Sequence, residues 1–387
     1  MAPDASKRSA ITLSVKPDIK SLSREDLSQQ FAAWSEPDYR LTQLLDWLYL
    51  KRATTWEAMS NMPKALREQL KTTCQLVVLE AVRKQGARGE TQKFLWRLPD
   101  GAFIESVLIP ANPALYSEAS DRHTLCVSTQ VGCAYGCKFC ASGLNGWKRN
   151  LEPFEMVEQV VAVERWLQND KREGAPAQPE TGRQIHNLVI MGMGEPLANY
   201  DALMKALRIL NAPWGGGIGA RKITISTSGL APQIRRLAAE PEQFRLAVSL
   251  HGSTDLVRNR IMPVNRRYPL SQLISACEEY LEKKGKMISF EYILMAGVND
   301  GLDQVEPLSA LARRLHAKVN LIPYNRVDGL EWTRPEPAVQ EAFLEKLKHY
   351  RIPATLRREK GGDIDAACGQ LRLRTEKEMA AADPKEA

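Results

Sequence analysis

From residue 124 onward, short apolar runs rich in β-branched residues alternate with helical patterns. The six runs are TLCVSTQVG, NLVIMGMGEP, RKITISTSG, FRLAVSLHG, ISFEYILMAGVND and KVNLIPYN. Helical patterns separate them over 153–168, 200–211, 231–240, 270–284 and 303–316. Alternation of strand and helix predicts a parallel sheet with helices packed outside it. Six units are too few for an eight-stranded barrel, so the pattern predicts an α/β partial barrel of six βα units. A flat, doubly wound sheet is the alternative.

Polar, small or charged residues stand at the ends of five of these runs. They are Gly194 and Glu195, Ser226, Ser249 with His251, Asn299 and Asp300, and Asn325. The carboxyl ends of parallel strands carry the active site in barrels. The pattern therefore predicts a shared polar site at that edge, although any one of these residues alone is explained equally well as the start of an ordinary loop.

The flanking segments have different patterns. In 20–77, apolar residues at helical spacing follow Ser23 and Asp26, which nearly match a capping box, and this predicts a small helical accessory domain. In 78–120, two β-rich runs around Pro99-Asp100-Gly101 predict a β-hairpin extension. The barrel core is expected over 121–375, and disordered tails over 1–19 and 376–387.

Composition restricts the class of protein. The 387 residues carry a net charge of +7 and include seven cysteines. No run of eighteen apolar residues suggests a membrane span, and the first residues lack the apolar core of a secretory signal. An odd number of cysteines without such a signal favours the reducing cytoplasm and metal or redox chemistry over a disulfide scaffold. The positive charge is compatible with a polyanionic partner but does not require one.

The loop VGCAYGCKFCASG, at 131–143, holds Cys133, Cys137 and Cys140 in a C-x3-C-x2-C spacing. Three soft thiolates at this spacing suit zinc or an iron–sulfur cluster. A structural zinc site or a four-cysteine cluster needs a fourth ligand nearby. No second Cys or His pair follows, and the remaining cysteines show no suitable spacing. The loop therefore predicts a [4Fe-4S] cluster with one iron left open for S-adenosylmethionine.

This cysteine spacing after a first β-strand, with Phe139 before the last cysteine, resembles the radical S-adenosylmethionine enzymes. Further segments resemble the RlmN/Cfr family of RNA methyltransferases within that superfamily, over about residues 20–375. These segments are FIESV, TLCVSTQVGC, MGMGEP, TISTSGL, AVSLHG, LIPYN and GDIDAACGQL. The resemblance implies the partial barrel, the cluster on the three cysteines, and S-adenosylmethionine as the second cofactor.

The resemblance also implies the reaction. It is methylation of C2 of adenosine in 23S rRNA, at the peptidyl-transferase centre, and in tRNA, just 3′ of the anticodon. Cys368 matches the cysteine that carries the methyl group as S-methylcysteine. Cys126 matches the resolving cysteine, which forms a transient disulfide with Cys368, and Glu105 matches the proton acceptor. From the residues alone, a buried strand cysteine is the favoured interpretation of Cys126, and the alternation along the hairpin strand does not decide whether Glu105 only faces solvent.

The family's cofactor-binding positions match seven residues: Gly194, Glu195, Ser226, Ser249, Leu250, His251 and Asn325. His251 is equally interpreted as a structural histidine. Exposed basic segments are expected to contact RNA phosphates without reading sequence. They are Arg258, Arg260, Arg266 and Arg267, the segment 356–360, and Lys148 with Arg149.

The implied partners are 23S rRNA, tRNA and an external electron donor of the flavodoxin or ferredoxin type, with the protein acting as a monomer. Two alternatives stay open. One is a C8-adenosine methyltransferase of the same architecture, and the other is a non-catalytic RNA-binding protein with a structural iron–sulfur cluster.

Overall fold

A computed structural model describes residues 16–87, 89–110, 122–169, 182–285, 287–357 and 369–382. Its strands are β1 (Glu80–Gln85), β2 (Gln92–Arg97), β3 (Phe103–Pro110), β4 (His123–Cys126), β5 (Gln130–Gly132), β6 (Trp147–Asn150), β7 (Ile185–Ile190), β8 (Ile223–Thr227), β9 (Arg245–Ser249), β10 (Ser289–Leu294), β11 (Lys318–Pro323) and β12 (Ala354–Leu356). Its α-helices are α1 (Arg24–Ala33), α2 (Asp38–Leu45), α3 (Lys64–Thr73), α4 (Pro153–Asn169), α5 (Tyr200–Asn211), α6 (Ala231–Ala239), α7 (Asp255–Ile261), α8 (Leu270–Lys284), α9 (Val305–Arg314), α10 (Pro337–His349) and α11 (Gln370–Ala382).

Ten of these strands form one sheet in the order β1-β2-β3-β4-β7-β8-β9-β10-β11-β12, and β5 and β6 form a separate ribbon. From β4 to β12 all neighbours are parallel. The open parallel sheet with intervening helices confirms the partial barrel. The short strand β12 was not predicted, because three residues are too few to show a period.

The predicted hairpin corresponds to β2 and β3, and it is a direct continuation of the main sheet. Strand β3 pairs antiparallel with β4, the first strand of the barrel, with Val107 opposite Cys126. Strand β1, also not predicted, pairs with β2 at the edge. The hairpin thus places its side chains beside the first barrel strand.

Alternation along the strands separates the two faces of the sheet. In β10, Phe290, Tyr292 and Leu294 are buried, and the Tyr292 ring packs 5.6 Å from Phe343 of the outer helix α10. Glu291 points to the other face, where it accepts a hydrogen bond from Asn320. Successive side chains of a strand point to opposite faces, so the inner face is partly polar, as a site requires.

The helices α1–α3 pack against the outside of the barrel. Ser23 and Asp26 form the reciprocal hydrogen bonds of a capping box at the start of α1. Two buried ion pairs join this region to α4. Lys20 pairs with Glu158 at 3.2 Å, and Arg52 pairs with Glu164 at 3.0 Å. The N-terminal helices and the barrel share one hydrophobic core.

Both predicted tails are too long. Residues 16–19 belong to the fold, because Ile19 is buried in the core and Asp18 accepts hydrogen bonds from the backbone of Lys20 and Val77. At the other end, 376–382 continue α11, which Arg374 and Glu378 support as an i, i+4 ion pair. Residues 1–15 and 383–387 lie outside the described ranges. The last two residues of the segment GDIDAACGQL, Gln370 and Leu371, begin α11.

No helix in the described part of the chain combines the length and apolar character needed to cross a bilayer.

Candidate active site

The three-cysteine loop connects the strands of the small ribbon. Strand β5 pairs antiparallel with β6, and the N–H of Cys133 donates to Gly146 O at 3.2 Å. Gly132 has a φ of 77° and lies so close to the Gly146 carbonyl that a Cβ would clash. The ribbon therefore closes the base of the loop, and the positive φ and the close approach both require glycine at 132.

Contacts from three other parts of the chain hold the loop between Cys137 and Cys140. The N–H of Lys138 donates to Ile261 O at 2.9 Å, and the Lys138 carbonyl accepts from Trp332 Nε1 at 2.9 Å. The Phe139 ring packs edge-on against His251, with ring centroids 4.9 Å apart. The backbone that carries these two cysteines is thus fixed from both sides.

The thiols fit a cluster better than a single metal ion. Burial, and after it the nearby Cys140 and Glu195, raise the pKa of Cys133 to about 12, although hydrogen bonds from the backbone N–H groups of Tyr135 and Gly136 act in the opposite direction. Burial and the neighbouring Cys140 and Cys133 raise the pKa of Cys137 well above its usual value. Within the described ranges, no three His, Cys, Asp or Glu side chains converge to hold one metal ion. A cubane takes each thiolate at a different iron, so its three ligands need not converge on one point, and bound iron would deprotonate them.

Gly194 and Glu195 follow β7 and lie against Gln130 of β5. Gly194 has a φ of 104°, and a Cβ there would meet Gln130 Cβ at 2.6 Å. Glu195 donates its N–H to Gln130 Oε1 at 2.8 Å, and its buried carboxyl group accepts from the N–H groups of Ser228 and Leu197 at 2.7 and 3.1 Å. Burial raises the pKa of Glu195. Gln130 thus joins the cysteine-loop ribbon to the segment after β7, a role that the sequence did not reveal.

The remaining predicted cofactor residues lie at the same edge of the sheet. Ser226 Oγ and Ser249 Oγ, on the adjacent strands β8 and β9, are 3.4 Å apart. Leu250 is fully buried directly after β9. Asn325 follows β11 and is half-buried. The parallel register brings these four residues to one edge of the sheet.

His251 has the contacts of a structural histidine. It is buried at a φ of 52°, and its Nδ1 accepts the N–H of Ile293 at 3.1 Å. Burial and the nearby Arg258 lower the pKa of His251 to about 3, so the ring is neutral. Its ring supports Phe139 of the cysteine loop, which links the end of β9 to the predicted metal ligands.

Arg258 corrects the predicted RNA surface. It lies on α7 with 0% of its surface exposed. Its guanidinium donates to the carbonyls of Leu250, Ser249 (3.2 Å) and Ser228 (3.0 Å), and to Asn265 Oδ1 at 2.9 Å. This arginine ties the ends of β8 and β9 together and is not available to a phosphate.

Arg149 is also engaged within the protein. It pairs with Asp100 at 2.7 Å and, through two nitrogens, with Glu155 at 2.7 and 2.8 Å. Sequence alone does not distinguish such a paired arginine from a solvent-exposed one. Exposed basic residues remain nearby: Lys148, Arg260, Arg266 and Arg267.

Glu105 is buried on β3 and does not face solvent. Its Oε2 accepts the N–H of Gly369 at 2.8 Å, and its Oε1 accepts the N–H of Arg372 at 2.7 Å. Lys93 Nζ, on the neighbouring strand β2, lies 3.3 Å from Oε2. The carboxylate therefore binds the first turn of α11 to the hairpin. In the sequence, the lysine within the apolar strand run QKFLW is the feature that marks this buried pair.

Cys126 lies on the same face of the sheet as Glu105. It ends β4 directly opposite Val107, which stands two residues along β3 from Glu105. Gly369 packs against the cysteine loop as well, since a Cβ at 369 would meet Ser142 N at 2.9 Å. Cys368 lies outside the described residues. Gly369, which follows it in the chain, contacts both Glu105 and the segment after Cys140.

Comparison with known proteins decides the family. A model of the ribosomal RNA large subunit methyltransferase N-terminal domain matches residues 17–76, and the radical SAM superfamily model matches 177–306. The probable dual-specificity RNA methyltransferase RlmN 3 of Opitutus terrae is 52% identical over 365 residues, which cover 94% of this chain and 96% of that protein. The chain belongs to the RlmN family of radical S-adenosylmethionine RNA methyltransferases.

Two further relatives cover nearly the whole chain. The dual-specificity RNA methyltransferase RlmN of Anaeromyxobacter dehalogenans is 46% identical over 355 residues, 92% of this chain and 91% of that protein. A crystal structure of a radical SAM methyltransferase from Sphaerobacter thermophilus is 44% identical, with a TM-score of 0.82 over 92% of this chain and 98% of that chain. The RlmN family membership, the enzyme class and the radical SAM fold predicted from the sequence are confirmed.

Proposed function

We propose that the protein methylates C2 of adenine in 23S rRNA, at the peptidyl-transferase centre, and in tRNA, just 3′ of the anticodon, through an S-methylcysteine at Cys368. The observation that carries the proposal is the position of Gly369. This residue directly follows Cys368, donates its N–H to Glu105, and packs against Ser142 beside the cysteine loop. These contacts support the proposal, because the residue next to Cys368 in the chain touches both the proposed base and the segment that follows the predicted cluster ligand Cys140.

Cys133, Cys137 and Cys140 would hold a [4Fe-4S] cluster, and the residues at the ends of β7, β8, β9 and β11 would hold S-adenosylmethionine. When bound, the two cofactors supply a carbon radical. Such chemistry suits the target, because C2 of adenine lies between two ring nitrogens and is too electron-poor to displace a methyl group from a sulfonium. Ser226, Ser249 and Asn325 offer hydroxyl and amide groups suited to ribose and carboxylate oxygens.

The residues around Glu105 perform the transfer and the release. The Cys368 thiolate accepts a methyl group, since thiolates are good nucleophiles, and its S-bound carbon becomes joined to C2. Glu105 takes the proton from C2. The Cys126 thiolate then attacks the sulfur of Cys368, so that an S–S bond forms and the S–C bond breaks. The released carbon keeps the electron pair of that bond and takes up a proton, which leaves a methyl group on C2. Burial of Glu105 and Cys126 excludes water from these steps.

RNA would bind across the exposed cations Arg260, Arg266, Arg267 and Lys148, which lie close to the cysteine loop or on its adjoining ribbon. The overall charge of +7 supports such an encounter. The target adenine must leave its stack to reach a site inside the barrel mouth. The proposal includes a cytoplasmic, monomeric enzyme that receives electrons from a flavodoxin-like or ferredoxin-like donor.

The test is anaerobic reaction of the reconstituted enzyme with S-adenosylmethionine, a reductant and unmodified 23S rRNA or tRNA, followed by digestion and mass spectrometry of nucleosides. We expect 2-methyladenosine from both RNAs. Appearance of 8-methyladenosine would establish the C8 alternative instead. Absence of both 5′-deoxyadenosine and methylated RNA from enzyme with a full cluster would establish a non-catalytic RNA-binding protein.

A further inference from the structure

Lys93 and Glu105 form an ion pair that is sealed inside the protein. The two side chains are 1% and 2% exposed, and Lys93 Nζ lies 3.3 Å from Glu105 Oε2. They stand on the neighbouring antiparallel strands β2 and β3, and their side chains point to the face on which α11 packs. Burying a carboxylate and an ammonium is unfavourable unless each is compensated, so this placement requires an explanation.

A buried carboxylate that must act as a base faces a conflict. Burial excludes water, which the reaction needs, but it also favours the protonated carboxyl group, which cannot accept a proton. A cation held within a few ångströms removes the conflict, because it favours the charged form. The N–H groups of Gly369, just before α11, and of Arg372 in α11 act in the same direction, since they donate hydrogen bonds to the carboxylate.

We propose that Lys93 is a positioning residue that keeps Glu105 ionised and ready to accept the C2 proton of the substrate adenine. The inference deepens the proposed function and rests on it. In the step concerned, the C2–H bond breaks, its electron pair stays with the ring, and the proton bonds to a Glu105 oxygen. Glu105 is then neutral, and the Lys93 ammonium 3.3 Å away favours loss of the proton from Glu105, which restores the base.

Other charged or titratable groups also lie around Glu105, and their partners show which of them can act on its carboxylate. Among the described residues on the same face, they are Arg97 of β2, Cys126 of β4, and Arg372 and Glu376 of α11. Arg97 lies over the Phe103 ring, and the Arg372 guanidinium pairs with Glu376 Oε2 at 3.0 Å. Of these described cations, Lys93 is the one whose side chain forms an ion pair with the Glu105 carboxylate.

The first experiment reads the charge of Glu105 without using activity. Infrared spectra at neutral pH are compared for wild type, Lys93→Met and the double variant Lys93→Met/Glu105→Gln. We expect Lys93→Met to gain the carbonyl stretch of a protonated carboxyl group, and the double variant to lose it. Identical spectra for wild type and Lys93→Met would overturn the proposal, because Glu105 would stay ionised without Lys93.

The second experiment is the pH dependence of RNA methylation at saturating RNA. Lys93→Met should lower the rate at pH 7 by about 10–100-fold, which is no more than the lower end of what a general base contributes. In the pH profile of the methylation rate, the acid limb of Lys93→Met should move to higher pH by about one unit or more. Activity of this variant should therefore partly return at high pH. Lys93→Arg should restore the wild-type limb. A uniform loss at every pH would overturn the proposal and leave Lys93 a packing residue.

Lys20→Met is the matched control. Lys20 is equally buried and pairs with Glu158 at 3.2 Å, but it joins the N-terminal region to α4. Lys20→Met should lower the melting temperature and leave the acid limb of the methylation pH profile at its wild-type position. A limb shifted equally in this control would also contradict a specific role for Lys93. Glu105→Gln separates the two proposals: methylation retained by that variant would overturn the base itself while leaving the infrared result intact.

Discussion

The N–H of Gly369 donates to Glu105 Oε2 at 2.8 Å, across 264 positions of the chain. This bond joins the C-terminal helix to the hairpin at the start of the sheet. It matters for function because Gly369 follows the proposed methyl carrier Cys368 and Glu105 is the proposed base. Docking of α11 therefore controls how close the two groups come, and conformational freedom at 369 is a direct requirement of the site.

Gly369→Ala tests this docking. Gly369 has a φ of 86°, and an added Cβ would meet Ser142 N at 2.9 Å. Gly101 is a matched control, because its φ is 82° and nothing lies within 4 Å of an added Cβ. Both alanines bear backbone strain of about 1–2 kcal/mol, but only the one at 369 should displace α11. We expect loss of methylation and faster proteolysis of the C-terminal segment in Gly369→Ala alone; equal effects in both variants would contradict the docking argument.

Trp332→Phe tests how the cysteine loop is held. The substitution keeps an aromatic ring but removes the N–H that donates to Lys138 O, one residue after Cys137. We expect lower iron content after reconstitution and faster loss of the cluster absorbance in air. Trp47→Phe is the control, since it removes an indole N–H that donates to Asn61 far from the loop. Unchanged iron content and cluster lifetime in Trp332→Phe would show that the other contacts suffice.

The fold and the chemistry of this protein follow from sequence to different extents. The strand–helix alternation and the C-x3-C-x2-C loop are local patterns, so the parallel sheet and the predicted cluster ligands could be identified directly. Gln130, Lys93 and Trp332 act through contacts with residues 65, 12 and 194 positions away, respectively. A local pattern such as a lysine within the apolar run QKFLW can mark a buried polar residue, but it does not say which distant residue is the partner.

Two arginines show most clearly that the sequence alone does not reveal the environment of a side chain. Arg258 and Arg267 stand in one basic stretch and look alike in sequence. In the structure, Arg258 is buried among backbone carbonyls, whereas Arg267 is exposed. The difference depends on which side of α7 and its following turn faces the barrel, and not on the local composition.

Replacing these two arginines separates structure from RNA binding. Arg258→Met removes a donor from the carbonyls of Ser228, Ser249 and Leu250 and from Asn265 Oδ1. We therefore expect the free energy of unfolding to fall by about 3 kcal/mol or more, measured by urea denaturation. Arg267→Ala should leave stability unchanged and reduce the slope of log affinity against log salt by about 1, measured by RNA binding at several salt concentrations. A stable Arg258→Met protein with a reduced salt slope would restore Arg258 to the RNA surface.

His251 gives the protein a pH dependence with a definite sign. Burial lowers the pKa of His251 from 6.5 to about 3 in the folded state. Between these values the unfolded chain binds the proton and the folded protein does not, so stability is full above pH 6.5 and falls as the pH decreases towards 3. From pH 6.5 to 5 the loss from this one group is on the order of 2 kcal/mol. Asparagine tolerates the positive φ at this position, so His251→Asn should remove the loss of stability that protonation of His251 causes.

The measurement is the free energy of unfolding of the cluster-free protein in urea at pH 7 and pH 5. Wild type should lose more stability between these pH values than His251→Asn, although the variant is expected to be less stable at pH 7. His316→Asn is the control, because His316 also has a positive φ of 47° but is exposed. If wild type and His251→Asn lose the same amount between pH 7 and pH 5, then His251 is not the group whose protonation opposes folding.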